Sequence, residues 1–323
     1  MAQLYCGGSE CVEAAIRLAK IFKKKFEFIG FHGSFHGKTM GAMSLADVVP
    51  QLGPRMPGYY RVPYGYCYRC SFKMEYPGCG LYCVEYIREV LRHQTTGNIA
   101  GIVLEPILGW GGSVVPPKEY LQRLRRLCDE EGILLIIDEI LTGCGRTGKM
   151  WCVEHSDVVP DIMTVGKHLG SGYPITAVLS SERIMRDAQS SASTSFGGNP
   201  VACASALASL QVIQEEKLVE NAAKVGEEMM GRLKEIKDEH PIVGDVRGKG
   251  LLLGIELVKD RLTKEPNREA GHKVYQKAFG KGLAWVPAHH ILRIAPPMII
   301  TSELAQKGLD IIEEAIREVE NDR

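Results

Sequence analysis

Five short apolar runs, separated by polar or amphipathic stretches, limit most strongly how this chain can fold. They lie at residues 26–31, 99–105, 132–138, 161–165 and 175–179. Near-continuous apolar runs of this length are typical of strands that are buried on both faces, as in a parallel sheet covered by helices. The pattern therefore predicts an α/β fold with a mainly parallel sheet flanked by helices.

Helix signals fill the intervals between these runs. Leu121, Leu124 and Cys128 stand at helical spacing within residues 118–129, just after a double proline that suits a helix start. Beyond residue 198 the sequence predicts helices at 199–216 and 217–237, then short strands at 250–257, 283–286 and 291–294, and a last helix ending at residue 320. We predict a large domain of residues 1–212 and a smaller C-terminal α+β domain of residues 213–323.

Charge and cysteine content narrow the class of protein. The 323 residues carry 39 basic and 39 acidic side chains, which gives no reason to expect a nucleic acid partner. No apolar stretch reaches the length of a membrane span, and the N-terminus has no secretion signal pattern. Ten cysteines in such a chain indicate reduced thiols and predict a cytoplasmic location.

Polar residues with distinct chemistry stand at or just after three of the predicted strands. These residues are Glu105, Asp138 and Lys167. In such sheets, ligands bind beyond the carboxyl ends of the strands. A lysine in a glycine-containing connection after an aspartate at a strand end suits pyridoxal phosphate (PLP) chemistry. The amine forms a Schiff base, and the carboxylate keeps the pyridine nitrogen protonated. Taken singly, each residue could also be an ordinary surface charge.

Eight motifs occur in an order that resembles the class III aminotransferases of the ω-amino-acid subgroup. They lie at residues 8–15, 35–37, 105–106, 138–140, 145–148, 166–167, 196–200 and 292–297. The resemblance covers essentially the whole chain. It implies the fold of PLP-dependent transferases of fold type I, a homodimer, PLP as cofactor, and an amino acid and a 2-oxo acid as substrates. Family members usually extend further at the N-terminus, so the sequence predicts a chain that is truncated relative to them.

The resemblance also implies roles for individual residues. Lys167 and Asp138 are the expected catalytic pair, and Arg293 is expected to bind a substrate carboxylate as a planar fork. The start of the helix that follows Gly8 is a natural anion site and is expected to hold the cofactor phosphate. The implied cofactor-binding residues are Gly8, Ser9, Phe35, His36, Glu105, Asp138, Lys167 and Ser195, with Thr194 as an alternative to Ser195 across the dimer interface.

Two positions depart from the family pattern. Leu141 stands where a glutamine is common, so a hydrogen bond to the cofactor phenolic oxygen is expected to be missing or supplied elsewhere. Trp110 stands where members acting on γ-amino acids often carry a glutamate that can cover the substrate arginine. We place Trp110 in the substrate pocket, where it favours neutral or hydrophobic amino acids over diacids.

A cluster of four cysteines is not required by the family pattern. Cys67, Cys70, Cys79 and Cys83 lie in a segment rich in tyrosine, proline and glycine, and their density is that of a tetrahedral zinc site. A metal would help to order such a segment. The alternative is four reduced cysteines that pack as small hydrophobic residues.

The reaction itself stays open at this point. The sequence favours an aminotransferase, but an amino-acid racemase or epimerase would need the same catalytic residues. A hypothesis of a different class is a non-catalytic, truncated or metal-ordered binding fragment, which the short N-terminus and the cysteine cluster would fit.

Overall fold

A seven-stranded sheet dominates the computed structural model, which describes residues 1–46, 53–186, 194–286 and 289–322. The chain forms two compact units. The first comprises Met1–Gly111, Pro116–Cys144 and Trp151–Glu216. The second comprises Gly112–Val115, Gly145–Met150 and Lys217–Arg323. The chain thus passes finally into the second unit after Glu216, and a domain boundary at residue 212 stays a prediction.

The sheet of the first unit is mainly parallel. Its strand order is β1-β7-β6-β5-β4-β2-β3, and the neighbours from β3 to β6 are parallel. The strands are β1 (Ala2–Tyr5), β2 (Glu27–Phe31), β3 (Tyr59–Val62), β4 (Ile99–Leu104), β5 (Leu134–Glu139), β6 (Ile162–Val165) and β7 (Thr176–Ser180). All residues of β2, β4 and β5 are buried, as the apolar runs predict. The predicted α/β fold class is confirmed.

Helices cover this sheet. They are α1 (Gly8–Lys23), α2 (Met40–Ser44), α3 (Tyr82–His93), α4 (Tyr120–Glu130), α5 (Glu182–Arg186) and α6 (Pro200–Glu215). The buried face of α1 carries Val12, Ala15 and Ile16, which join Phe28 and Val103 in one apolar core. Burial of that face, at about 25 cal/mol per Å² of apolar surface, holds the start of α1 against the sheet.

The fifth apolar run forms a strand of opposite direction. β7 pairs antiparallel with β6, and β1 pairs antiparallel with β7 at the edge. The reason is the connection: a parallel neighbour needs a long crossover, whereas β6 and β7 are joined by residues 166–175, whose helical content is the short 3-10 turn Lys167–Leu169.

The second unit contains a three-stranded antiparallel sheet of order β10-β9-β8 with helices packed on it. Its elements are α7 (Leu218–Glu239), β8 (Val243–Lys249), β9 (Leu252–Leu257), α8 (Arg268–Gly280), β10 (Ile291–Ile294) and α9 (Ser302–Asn321). Thr301 caps the start of α9, because its side chain accepts a hydrogen bond from the backbone N–H of Leu304 at 3.2 Å. The core combines Met229, Leu253 and Ile312 from three different elements.

The strand predicted at residues 283–286 is wrong. The backbone N–H of Leu283 donates to the carbonyl of Ala278 at 3.0 Å, which closes the end of α8, and the ring of Trp285 packs edge-on against Tyr275 of the same helix. The segment therefore lies on α8 rather than in the sheet. The sequence also did not reveal β1, β3 and β8; in β8, two glycines and three charged residues hide the pattern.

Two glycines of α7 generate a matched test of packing. A Cβ on Gly226 would lie 2.2 Å from the backbone oxygen of Gly250, whereas a Cβ on Gly231 would meet nothing within 4 Å. We expect Gly226→Ala to lower the free energy of unfolding by about 1–3 kcal/mol, because backbone cannot yield to it. Gly231→Ala should raise it by about 0.5–1 kcal/mol, since alanine loses less backbone entropy in a helix.

Urea unfolding followed by circular dichroism measures both changes. The two variants share the substitution and the helix, so helix propensity cancels in their comparison. Equal effects of the two alanines would contradict the close approach of Gly226 to Gly250.

Candidate active site

Three neighbouring strands of the first unit bring functional side chains to one edge of its sheet. Glu105 directly follows β4, Asp138 is the second-last residue of β5, and Lys167 comes two residues after the end of β6. β5 lies between β4 and β6 and is parallel to both, so all three ends point the same way. The pairing of Asp138 with Thr164 fixes the register of this edge.

Asp138 is a buried carboxylate held by three donors. Its Oδ1 accepts hydrogen bonds from the hydroxyl of Thr164 at 2.9 Å and the backbone N–H of Ile140 at 3.1 Å. Its Oδ2 lies 2.8 Å from Nδ1 of His36, and because a carboxylate only accepts, Nδ1 is the donor. The side chain is therefore fixed in orientation, which a group that must face one atom of a cofactor requires.

His36 is fully buried behind Asp138. Burial by itself lowers the pKa of its imidazole, but the hydrogen bond to Asp138 and the negative charges of Asp138 and Glu105 outweigh it, so the pKa is raised. Its Nε2 has no hydrogen-bond partner among the described residues. The ring therefore binds Asp138 through Nδ1 and helps to fix the orientation of that carboxylate.

Glu105 ties two loops of the site to the end of β4. Its carboxylate accepts hydrogen bonds from the backbone N–H groups of Phe35 at 2.9 Å and Gly109 at 3.0 Å. Burial raises the pKa of Glu105 to about 7; the charge of His36 and the two N–H donors oppose this rise, and the charge of Asp138 adds to it.

Lys167 combines an exposed amine with an unusual backbone. Its φ of 44° lies in the left-handed region, which residues other than glycine rarely adopt. The preceding Gly166 leaves no space for a side chain, because a Cβ there would lie 2.8 Å from Cγ2 of Thr176. Strained backbone that surrounding structure enforces is typical of functional sites.

The start of α1 offers backbone donors to an anion. The first N–H groups of a helix have no carbonyl partner within it, and the helix dipole is positive there. Ser9 stands in this turn, and its Oγ accepts a hydrogen bond from the backbone N–H of Lys38 at 3.2 Å. Gly37 makes this approach possible, since a Cβ on it would lie 2.2 Å from Ser9 Oγ.

An aromatic pair lies at the same edge. Phe35 is half-buried, and its ring centroid is 5.8 Å from that of Trp110, which is 43% exposed. Leu141 follows β5 in the first unit, and a Cβ on Gly109 would lie 2.0 Å from its Cδ2, so Gly109 must be a glycine while a leucine occupies that place.

The donor set of the first unit fits PLP. It offers a helix start with Gly8 and Ser9 for a phosphate, a fixed carboxylate for a ring nitrogen, an aromatic side chain for a ring face, and an exposed amine for an aldehyde. The glycines at positions 37 and 166 keep the loops beside Ser9 and Lys167 free of side chains that would clash there.

Two further candidate residues lie elsewhere. Ser195 is exposed in the loop before α6, and its neighbour Thr194 donates from its hydroxyl to Glu10 of α1 at 3.1 Å. Arg293 belongs to the second unit, where it stands on β10 opposite Gly254 of β9 and is half-buried.

The four cysteines give the zinc hypothesis no support. Cys67 is exposed, the other three are half-buried, and all are free thiols. In the part of the chain that the structure describes, three or more metal-ligating atoms come within 4.8 Å of one another in one group, and that group contains no cysteine.

Sequence reasoning missed Thr164 as a site residue. Its hydroxyl donates to the carboxylate of Asp138 from the neighbouring strand and so helps to orient it. The sequence does contain a signal for it: Thr164 is a polar residue within an apolar strand, three positions before Lys167, and such a residue needs a buried partner.

Comparison with known proteins gives a family model and several relatives that match most of the chain. The family model of the class-III aminotransferases matches residues 2–316. A leucine/methionine racemase of Thermococcus litoralis is 41% identical over 98% of this chain and 73% of its own length. A 5-aminovalerate aminotransferase of Pseudomonas putida is 37% identical over 97% of this chain and 74% of its own.

A solved structure shows the same fold. The crystal structure of an amine transaminase from an uncultivated Pseudomonas species, in its PLP-bound form, superposes with a TM-score of 0.94 at 29% identity. It covers 98% of this chain and 77% of that one. The described helices include none that is long and apolar enough to cross a membrane.

The buried Glu105 generates a prediction on pH. Its pKa is raised from 4.5 to about 7 on folding, so between these values the folded state holds a proton that the unfolded state releases. The stabilising contribution is complete below pH 4.5 and is lost as the pH rises through 7. We expect the stability of the wild type, relative to Glu105→Gln, to fall by about 2–3 kcal/mol between pH 5 and pH 7.5.

Urea unfolding at both pH values, with equal cofactor content, measures the difference. Glu27→Gln is the control, because hydrogen bonds from Tyr60, Thr96 and Asn98 overcome burial and lower the pKa of that buried strand glutamate. Its contribution is lost only as the pH falls below 4.5, so its gap to the wild type should stay constant from pH 5 to 7.5. A constant gap for Glu105→Gln as well would contradict the raised pKa.

Proposed function

The chain belongs to the class-III aminotransferase family, and we propose that it moves an amino group between an amino acid and a 2-oxo acid with PLP as cofactor. The observation that carries this proposal is the exposed amine of Lys167 beside the strand that ends in the fixed carboxylate of Asp138. The family membership supplies the class of chemistry, and the contacts of the site support its assignment to these residues.

Lys167 and Asp138 would have different roles in this reaction. Lys167 would hold the cofactor aldehyde through its amine and, when displaced, take and return the proton of the substrate α-carbon. Asp138, oriented by His36 and Thr164, would hold the proton of the ring nitrogen. When bound, PLP supplies an electron sink that makes the substrate α-proton acidic. Without the buried carboxylate to hold that ring proton, the sink would weaken.

Binding of the cofactor would rest on residues of the first unit. Gly8 and Ser9 at the start of α1 would hold the phosphate, and Phe35 would pack on the ring. Glu105 would act indirectly, by fixing the backbone of Phe35. Ser195 of a second copy would add a phosphate contact in a homodimer. This dimer, and a cytoplasmic location, remain predictions from the sequence.

Transfer of an amino group needs a proton carrier on one face of the substrate carbon, whereas a two-base racemase needs one on each face. The exposed amine of Lys167 is one such carrier. The aromatic pair Phe35 and Trp110 carries no group suited to that transfer, His36 is fully buried with its Nδ1 on Asp138, and Glu105 is buried with its carboxylate on two backbone N–H groups. Among the residues that the structure describes, this set offers a carrier on one face and so favours aminotransfer.

Racemisation or epimerisation of an amino acid is the second candidate. The observation that favours it is the 41% identity to a leucine/methionine racemase, which exceeds the 37% identity to the 5-aminovalerate aminotransferase. Lys167 could serve such a reaction if a second acid or base reached the α-carbon. The substrate of either reaction would be an amino acid.

The substrate class follows from Arg293 and Trp110. A guanidinium fits a carboxylate through two parallel hydrogen bonds, so we propose Arg293 as the carboxylate partner of the substrate. Trp110 offers apolar surface where an acidic side chain would offer charge. Neutral or hydrophobic amino acids are therefore the expected donors.

The assay that tests the function uses enantiopure amino acids with and without a 2-oxo acid. We expect amino transfer only when the 2-oxo acid is present, and no loss of enantiomeric purity in its absence. Lys167→Ala should abolish turnover, because it removes the amine that moves the proton. Asp138→Asn should lower kcat at least about 100-fold, the scale of a few kcal/mol in the barrier.

Controls separate chemistry from folding. Lys118→Ala, at an exposed lysine before α4 in the same unit, should keep full turnover. Borohydride treatment of the PLP-loaded protein followed by peptide mapping should label Lys167. Loss of enantiomeric purity without a 2-oxo acid would favour the racemase, and a label on another lysine would reject the site. A failure to take up PLP would leave a non-catalytic binding protein.

The role of Arg293 predicts a selective defect. Arg293→Ala should raise KM for amino acids by an amount worth about 2–5 kcal/mol if the pair is buried, because the carboxylate then lacks a partner. Primary amines without a carboxylate should lose little. Arg293→Lys is the matched variant, which keeps the charge but not the planar fork. Its KM for amino acids should lie between those of the wild type and Arg293→Ala. Equal losses on amines and amino acids would show that Arg293 supports the fold instead.

A further inference from the structure

The end of α7 and the last turns of α9 bring a histidine and several glutamates together in the second unit. Glu239 is the last residue of α7, His240 follows it, and Glu313 lies on α9. One ligand atom from each of the three lies within 4.8 Å of the other two. His240 and Glu313 are buried, with 4% and 6% of their surface exposed, whereas Glu239 is exposed.

The ring of His240 is satisfied on one side only. Its Nδ1 lies 2.7 Å from Oε2 of Glu320, so Nδ1 donates to that carboxylate. Its Nε2 is buried and has no hydrogen-bond partner among the described residues. Oε1 of Glu313 lies 3.7 Å from Nε2, which is too long for a hydrogen bond.

This geometry is that of a histidine prepared to bind a metal. Ligating histidines nearly always give their other N–H to a carboxylate, which fixes the tautomer and leaves the lone pair directed at the metal. Glu320 occupies that supporting position. Two donors 3.7 Å apart can both lie about 2.1 Å from one ion between them, which is the usual distance of zinc from nitrogen and oxygen ligands.

The charges around the cluster also favour a cation. Glu313 is paired with Arg232 and Arg317, and Arg232 also contacts Glu235. With Glu239 and Glu320, the network holds four carboxylates. Arg261, which donates to the backbone carbonyl of His240 at 3.0 Å, brings the guanidinium groups to three, so the charge is −1 when His240 is neutral. Arginine contacts fix the carboxylate of Glu313 without using its whole lone-pair capacity.

We propose that Glu239, His240 and Glu313 form a zinc site that links the end of α7 to α9. His240 and Glu313 are its buried ligands, Glu239 closes it from the exposed side, and Glu320 holds the imidazole. An ion shared by two helices stabilises the folded second unit, because the unfolded chain does not hold the three ligands together.

The test uses the PLP-loaded protein, freed of metal with a chelator and then titrated with zinc chloride. Calorimetry should give binding of one zinc per chain at this site, and the Tm should rise with zinc. Glu239→Gln, at an exposed position, should weaken binding at least about tenfold and reduce the rise in Tm. His240→Gln should abolish both. Asp238→Asn removes a neighbouring exposed carboxylate that is outside the cluster and should change neither.

The four cysteines could also take up zinc. The absorption spectrum of bound cobalt(II) distinguishes binding at the cysteines from binding at the proposed site. Cobalt(II) bound to nitrogen and oxygen lacks the strong near-ultraviolet absorption of thiolate ligation, and Cys70→Ser should leave the zinc-dependent Tm unchanged. Zinc affinity that is equal in wild type, Glu239→Gln and His240→Gln would overturn the proposal. So would a wild type that binds no zinc, since a protonated His240 would then bridge Glu313 and Glu320 without a metal.

Discussion

The site depends on one buried carboxylate and the strands that orient it. Asp138 receives hydrogen bonds from its own chain just beyond β5, from Thr164 on β6 and from His36 beyond β2. A carboxylate taken out of water needs such donors, because isolation would cost several kcal/mol. Since these donors come from separate strands, the site exists only when the parallel sheet has formed. Fold and chemistry are therefore coupled at this residue.

Much of this arrangement could be predicted from the sequence, because it rests on local patterns. Buried strands show as apolar runs, and the positions of Glu105, Asp138 and Lys167 follow from strand ends. What the sequence did not reveal depends on partners far along the chain. Thr164 matters only through its register with Asp138, and the reversed direction of β7 depends on a connection too short for a crossover.

The second unit shows the same limit more strongly. The segment at residues 283–286 has the composition of a strand, but packing of Trp285 on Tyr275 decides its conformation. β8 carries charges and glycines that local propensity disfavours, yet its neighbour β9 supplies the hydrogen bonds. The packing of two helices brings His240 and Glu313 close together, and no spacing in the sequence predicts that contact. The dense cysteine spacing, in contrast, was conspicuous but brings no metal-ligating cluster together.

The antiparallel pairing of β7 has a consequence for how this region tolerates insertions. Residues 166–175 are anchored at both ends by register, with Val165 opposite Ala177 and Thr164 opposite Val178. A slip of one residue in either strand would turn every side chain to the other face of the sheet. The fixed number of residues in this loop therefore determines the position of the Lys167 backbone. Relatives should keep the number of residues between the two strands, together with the glycine and lysine at positions 166 and 167.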